Sequence, residues 1–546
     1  MQATPYPNQP PPYEGGNLYT SDRPLREALT REGAGWADAA LVAWGERMGG
    51  VEMLALADAA NRFAPQLRAF DRTGARIDSI EFHPAWHVLM ELATAAGEHA
   101  SPWRDLRAGA HVARAAMVFI HAQVENGSQC PLTMTFASVP ALRAFGTQVP
   151  EMTQQWLPKI TALDYDPRPL PIAAKRAALI GMGMTERQGG SDVRSNRTQA
   201  VATADHSYRL TGDKWFFSAP QCDAHLVLAQ APGGLSCFFV PQISVDGSRN
   251  ALVLVRLKDK LGNRSNASSE VQFHGATGHL IGEEGRGIAA ILTMVQHTRL
   301  DCVIASAGMM RAAFAWALHH ASHRVAFGRR IVDQPLMTAV LADLALEVEA
   351  ATMLAMRLAR AFEAMPGSSD AALARVLTPA AKFWVCKRGA PLAAEAMEVH
   401  GGNGYVEEYP LPRLYREMPV NAIWEGSGNV IALDVQRALA RDTDTREALA
   451  GEWHRARGAD LRFDRFTAKL GEWIDGSMDD PGSARRLAQA IATSVQAGLL
   501  LQHAPPAVAD AFIASRLDES TFGGALFGTL PTGADTAGIV RRAAGV

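Results

Sequence analysis

Three short segments carry the residue types that chemistry needs. The first, Met182-Gly-Met184-Thr185-Glu186-Arg-Gln-Gly-Gly190-Ser191-Asp192, has glycines that allow close backbone approach, and hydroxyls and N–H groups that can hold a phosphate or a ring carbonyl. The second, Gly212-Asp-Lys214-Trp-Phe216-Phe217-Ser218, sets aromatics beside a hydroxyl, a wall for a flat ring. The third, Ile423-Trp424-Glu425-Gly426-Ser427-Gly428-Asn429, places a carboxylate between a Trp and a glycine turn that opens a helix at Ile431. Taken singly, each has a plainer reading: a surface turn, a core strand, and a helix-start charge favoured by the dipole.

Better-known signatures are missing. Gly181-Met-Gly183 runs into Met184-Thr185-Glu186, without the third glycine of a dinucleotide fingerprint, and no phosphate loop ending in Gly-Lys-Ser/Thr occurs. Glu425-Gly426-Ser427-Gly428 lacks the leading glycine of a nucleophile elbow, which argues against a serine hydrolase. His319, His320 and His323 put two imidazoles one helical turn apart, but no zincin-type carboxylate accompanies them, so they read as packing or surface groups and no metal is expected.

The elements that must position these segments follow from texture. At 546 residues the chain is too long for one core. Apolar types make up 48% and charged types 20%, the balance of a soluble enzyme, and a net charge of -3 argues against bulk electrostatic binding as the main task. The Pro- and Asn-rich leader, Met1 to Asp22, has no apolar run to make a signal peptide, and no uninterrupted apolar stretch suggests a membrane span. Five scattered cysteines, Cys130, Cys222, Cys237, Cys302 and Cys386, disfavour a disulfide frame and point to a reducing cytoplasm. Apolar spacings of three and four predict helices over 39–60 and 106–124. The four prolines between Pro158 and Pro171 mark a linker. Short β-branched and aromatic runs predict strands over 225–231, 235–243, 251–257 and 270–274, separated by glycine turns. Helical texture returns over 305–325, 335–364, 371–399 and 431–440. The expected order is a helical domain with its polar leader (1–180), a middle β domain (181–282), a helical bundle (283–440) and an additional helical region (441–546): α+β, mostly α.

In this order and on this frame the segments resemble the acyl-CoA dehydrogenase family of flavoproteins, over roughly residues 80–440. Thr185-Glu186 to Ser191-Asp192 is similar to that family's first flavin signature, and Phe216-Phe217-Ser218 falls where the family has Trp-Ile-Thr against the flavin. Arg324-Val-Ala-Phe327-Gly328, Gln334 and Gly401-Gly402 match places that reach the FAD of a neighbouring subunit. Trp424-Glu425-Gly426-Ser427 matches the stretch that carries the catalytic base. The resemblance implies non-covalent FAD, a homotetramer, and cofactor contacts from Met182, Met184, Thr185, Gly190, Ser191, Phe216, Phe217, Ser218, Ile423, Trp424, Ser427, Asn429 and Leu433. It also implies that Glu425, its carboxyl raised by apolar neighbours such as Trp424, removes the α-proton of an acyl-CoA-type thioester while the flavin takes the β-hydride. An Asp base would be expected of a nitroalkane oxidase on the same frame, and Glu425 speaks against it.

Uncommon words along nearly the whole chain resemble one branch of the family, that of the bacterial adaptive response to DNA alkylation. They include Thr30-Arg-Glu-Gly-Ala-Gly-Trp36, Phe82-His-Pro-Ala-Trp-His87, Leu257-Lys-Asp-Lys-Leu-Gly-Asn-Arg-Ser-Asn-Ala267 and Met418-Pro-Val-Asn421. Phe216 for Trp, Glu398 where a Gln commonly contacts the neighbour's cofactor, and Asn429 depart from ordinary dehydrogenases. Glu398 and Asn429 agree with the branch, whose implied activity is weak acyl-CoA dehydrogenation. In that branch the additional region is implicated in duplex DNA binding, which makes a protective DNA-binding flavoprotein the rival function. Residues 441–546 hold 12 basic and 14 acidic residues. Arg437, Arg441, Arg455, Arg457, Arg462 and Arg465 could line one face, or could pair with acids on a solvated helix.

Overall fold

The computed structural model describes residues 7–545 apart from 14–15, 148, 150–151, 205–206, 477–479, 519–523 and 525. The first six residues of the polar leader lie outside the described residues. Two compact units make up the chain: 55–107 with 125–298, and 1–54 with 108–124 and 299–546.

The first unit holds the strands. β1 (Gln66–Phe70) and β2 (Arg76–Glu81) form an antiparallel hairpin. Then come β3 (Ile180–Gly183), β4 (Gln199–Ala202), β5 (Tyr208–Ser218), β6 (Ala224–Ala231), β7 (Gly234–Pro241), β8 (Leu252–Leu257) and β9 (Ser268–Ile281). Pairing runs β6 to β4, β4 to β5, β5 to β9, β9 to β7 and β7 back to β6, so five strands close on themselves. β3 adds parallel to β6 and β8 antiparallel to β9. Closure removes sheet edges and encloses one core of Leu210, Phe217, Val227, Phe238, Val271 and Phe273. The strands foreseen over 225–231, 235–243, 251–257 and 270–274 are β6 to β9. The hairpin β1–β2, within a stretch read as helical, and β3 to β5 are additions to that reading.

The second unit is helical. Its main helices are Pro335–Ala361, Ser369–His400 and Gly428–Arg441, and Ala484–His503 from the later part of the chain packs against all three. Three ion pairs button the later helices onto Pro335–Ala361: Arg357 of that helix takes Glu452, while Arg516 takes its Asp343 and Arg542 its Glu349. All six side chains are nine-tenths or more buried. Such pairs set the register of docking more than they add net stability, because desolvation offsets most of the Coulomb attraction.

Two helix expectations need correction. The helix foreseen over 39–60 is two, Asp38–Met48 and Val51–Arg62, because the backbone at Gly49 is too close to another segment for a side chain: an added Cβ would stand 1.7 Å from Gly16 O. The helix foreseen from residue 305 begins at Gly287 and runs to His323. Its apolar rhythm is interrupted by a buried polar pair, Asp301 with both nitrogens of Arg114 at 2.6 Å. By length and composition this helix could cross a membrane, but 61% of its most apolar window is buried in protein, the pattern of a core helix.

Candidate active site

In the β unit, the Thr185–Ser191 loop is tied down by its own carboxylate. Glu186, almost fully buried, accepts from Lys214 Nζ at 2.9 Å, Thr198 Oγ1 at 2.6 Å and the Arg197 N–H at 2.6 Å. Burial raises its carboxyl, but the Lys214 ammonium and these donors outweigh that and bring it down to about 2. Lys214 is itself anchored on Leu228 O of β6 at 2.7 Å, so one ion pair joins loop, β5 and β6. Glu186 is therefore a structural anchor. The Thr185 carbonyl takes the Trp215 N–H at 2.9 Å, and Met184 O takes Asn196 Nδ2 at 2.8 Å. An added Cβ on Gly190 would meet Thr185 Oγ1 at 2.4 Å, so this glycine lets the loop fold back on its own hydroxyl. Ser191 is exposed at the loop's end, and Met182 is buried in β3.

The period of two along β5 sorts the aromatic segment. Phe216 and Ser218 share one face: Phe216 is 54% exposed, and Ser218 Oγ lies 3.4 Å from Ser268 Oγ. Phe217 points the other way, fully buried between His225 (ring centroids 4.2 Å) and Phe273, so its side chain supports the wall from behind. Beyond Ser218, Ala219 has a positive φ of 48°, and Gln221 has a buried amide whose nitrogen and oxygen both lack a partner among the described residues. Phe216, Ser218 and an unengaged amide fit a flat heteroaromatic ring with carbonyl and N–H edges.

In the helical unit, Glu425 sits on a strained turn. Its φ of 58° is a left-handed conformation that costs a non-glycine residue of order 1–3 kcal/mol and persists only where surroundings impose it. Two buried cations do so. Arg299 Nε donates to Glu425 O at 2.9 Å, and Lys382 Nζ donates to Gly426 O at 2.9 Å. Arg299 is held in turn by Asp434 (2.7 Å), whose other oxygen takes Arg375 (2.8 Å). Behind the turn, burial keeps the Cys302 thiol well above the usual thiol range and raises that of Cys386. Trp424 is half-buried with its indole N–H lacking an acceptor among the described residues, and Ile423 is 64% exposed. Ser427 caps the Gly428–Arg441 helix by position without a side-chain bond, Asn429 Oδ1 lies 3.4 Å from Arg485 Nη1, and Leu433 is half-buried on that helix. Arg299, Lys382 and Asp434 were missed in the sequence because each stands alone within a helix. Only the fold brings them to one turn.

The remaining foreseen residues lie elsewhere on the helical unit. Arg324 donates to Asn8 O at 2.7 Å, and Gln334 Nε2 to Ala326 O at 2.9 Å, bracing a short hairpin. At its tip Phe327 has a φ of 52° and is 98% exposed. Gly401 and Gly402 are exposed after the Ser369–His400 helix. Of the six arginines, Arg455 is paired with Glu452 and Arg462 with Asp460 and Asp510. Arg437, Arg441, Arg457 and Arg465 are exposed and make no ion pair among the described residues. His319 and His323 each engage a main-chain carbonyl.

Comparison with known proteins gives the relationship. Residues 8–167 match the adaptive response protein AidB N-terminal domain, 181–276 the acyl-CoA dehydrogenase middle domain and 285–440 the acyl-CoA dehydrogenase C-terminal domain. AidB of Escherichia coli K12 is 50% identical over 512 residues, 94% of each chain. Acyl-CoA dehydrogenase family member 11 of Caenorhabditis elegans is 31% identical over 442 residues, 77% of this chain and 69% of that one. The crystal structure of C. elegans ACDH-11 in complex with C11-CoA superposes with a TM-score of 0.83 at 25% identity, covering 99% of this chain and 93% of that one. The fold is that of the acyl-CoA dehydrogenases, with N-terminal helical, middle β and C-terminal helical domains. Members of that family are FAD-dependent. Half its residues shared with AidB along almost its full length, the chain belongs to the acyl-CoA dehydrogenase family.

Proposed function

We propose that this protein is an FAD-dependent oxidoreductase that dehydrogenates the α,β bond of an acyl-CoA-type thioester, with Glu425 as the base. The observation that carries this reading is the Glu425 turn, strained and gripped by two buried cations, as a carboxylate with a positional task would be. The acyl-CoA bound by the C. elegans relative supports the substrate class.

Thr185, Ser191, Phe216 and Ser218 on the β unit are the residues that would hold FAD. The Gln221 amide, without a partner among the described residues, supports a polar heteroaromatic guest. When bound, FAD supplies the acceptor for the β-hydride. Glu425 takes the α-proton, acidified by the thioester carbonyl, onto a carboxylate oxygen. Arg299 and Lys382 donate to main-chain carbonyls of the turn and act as positioning residues, fixing where that oxygen stands. Phe327, Leu336 and Tyr405, at 98%, 86% and 83% exposure, are large apolar side chains that further copies in a homotetramer would cover. Five buried cysteines that form no disulfide among the described residues support a reducing cytoplasm.

The test is to mix purified yellow protein, without oxygen, with a panel of acyl-CoA thioesters and follow loss of flavin absorbance. Glu425→Gln is expected to slow bleaching at least about a hundredfold while leaving FAD content unchanged. Equal bleaching by the variant would place the base elsewhere. Light scattering of the same sample is expected to give four copies, and a monomer that keeps FAD would remove Arg324, Gln334 and Gly402 from any role toward a neighbour's cofactor.

A second reading, a DNA-binding protective flavoprotein with little redox turnover, is favoured by one observation: Arg437, Arg441, Arg457 and Arg465 stand exposed without carboxylate partners among the described residues.

A further inference from the structure

On the outer face of the closed strands, cations gather beside the aromatic wall. Along β5, Lys214 stands opposite Val271 of β9 and Phe217 opposite Ser269, so Trp215 and Phe216 together oppose the single residue Glu270. Such a bulge releases side chains from the pleat and re-aims them. Lys258, the residue after β8, is what they meet: its Nζ lies 3.3 Å from the Trp215 ring centroid and 4.9 Å from that of Phe216. Ser268 pairs with Ser218, and Glu270, two residues on, shares its face, so the carboxylate belongs to the same surface as Ser218.

Lys258 is not a loose surface charge. Its side chain is 11% exposed, its main-chain N–H donates to Ser268 O at 2.7 Å, and its ammonium reaches Glu270 Oε1 at 2.6 Å. Arg256, paired across the strands with Glu270, donates to the same oxygen at 2.7 Å. Burial would raise the Glu270 carboxyl, but the two cations outweigh it and hold the group below the ordinary carboxylate range. A third cation, Lys260, donates to Ser268 Oγ at 3.2 Å. The other acid of this segment, Asp259, is fully exposed and lies 4.0 Å from Arg264. Three cations therefore share one buried carboxylate. A staple between strands would be neutral, as Glu186 with Lys214 is. A positive surplus suits a guest that becomes negative.

We propose that Lys258 holds a fixed positive charge against the flavin's wall and favours the reduced flavin over the oxidised one. This rests on the FAD reading and deepens it. A hydride carries two electrons with its one proton, so the ring that takes it from the β-carbon gains one negative charge. A cation already held by Glu270 and two aromatic rings need not reorganise when that charge arrives, and such preorganised charge stabilises most. Being largely buried, it is also screened less by salt than an exposed lysine. What Lys258 touches is the wall, so its part is that of a positioning residue.

The reduction potential of the flavin in the full-length protein, measured without substrate by equilibration with a reference dye, tests this. Lys258→Met is expected to shift the equilibrium about tenfold toward oxidised flavin, a two-electron potential lower by about 30 mV. Glu270→Gln removes the counter-charge and is expected to shift it about tenfold the other way. Damaged packing would move both in one direction, whereas altered charge moves them oppositely. Lys258→Arg keeps the charge and should stay within about twofold of the parent. Arg256→Gln, on a side chain 62% exposed, should shift the equilibrium about threefold toward oxidised flavin, and decides the matter if Lys258→Met does not fold. A parental potential in Lys258→Met or Arg256→Gln, a Lys258→Arg variant as low as Lys258→Met, or shifts of one sign for Lys258→Met and Glu270→Gln would overturn the proposal. A protein that takes up no FAD would sink the cofactor reading itself, and this proposal with it.

Discussion

Glu425 has a left-handed backbone that glycine would adopt more readily, and a neighbouring glycine stands one residue on. What keeps the conformation is not local propensity but the two cations that reach its carbonyls from distant helices. Replacing Lys382 by Met keeps the stem and removes the charge, leaving Gly426 O without its donor. The expected outcome is acyl-CoA-dependent bleaching about tenfold slower at unchanged FAD content, with a stability loss of roughly 1.5–3 kcal/mol, the worth of a charged hydrogen bond. Stopped-flow bleaching and thermal melts check both. A variant that bleaches at the parental rate would show that Arg299 alone holds the turn.

Among elements, the Glu186–Lys214 pair is the tie between the Thr185–Ser191 loop and the closed strands, and it predicts an acid response. Glu186 ordinarily titrates near 4.5 and is brought down to about 2 in the fold. Its contribution is therefore complete above pH ~4.5 and is lost as pH falls toward 2, since the folded form binds its proton later than the unfolded one. Glu186→Gln should lack that acid-range loss, yet be less stable at pH 7 by about 3–5 kcal/mol because Lys214 is left buried and uncompensated. Denaturant melts from pH 7 to 3 separate the two effects. This anchor lay in plain sight within a motif, but sequence marks Glu186 only as a neighbour of Thr185; its partner is 28 residues on. Elements whose apolar period is unbroken, β6 to β9 and the long bundle helices, were legible. β5 was harder because Thr211-Gly212-Asp213 interrupts it, and β1 because none of its residues is buried. Of the candidate site, Glu425, Phe216 and Ser218 entered the reading through family resemblance alone. The cations that grip the turn were not, since a buried Lys or Arg in a helix looks like any surface charge until the fold is known.

At the scale of the whole molecule, an almost even charge balance argues for few phosphate contacts with DNA. Four unpaired arginines give a salt slope near −3.6, so affinity for a duplex should fall about 10²-fold between 50 and 200 mM salt, irrespective of sequence. Arg437→Glu with Arg441→Glu should halve the slope and leave the flavin spectrum intact. Filter retention across a salt series measures it. Absence of retention at low salt would leave the dehydrogenase reading alone.

The buttoning of Arg542 onto Glu27 has a consequence for how the protein is made. The two residues are 515 positions apart. At about 5–20 residues per second, a ribosome needs on the order of 25–100 s between them. Throughout that interval the helix Arg23–Arg31 waits on the nascent chain for a partner not yet translated. The unit formed by 55–107 and 125–298 is complete much earlier. Birth order and chain order therefore diverge: the segment made first is among the last to be locked. Its apolar face finds Pro335–Ala361 sooner, so what the emergence of Arg542 completes is the charged face that carries Glu27.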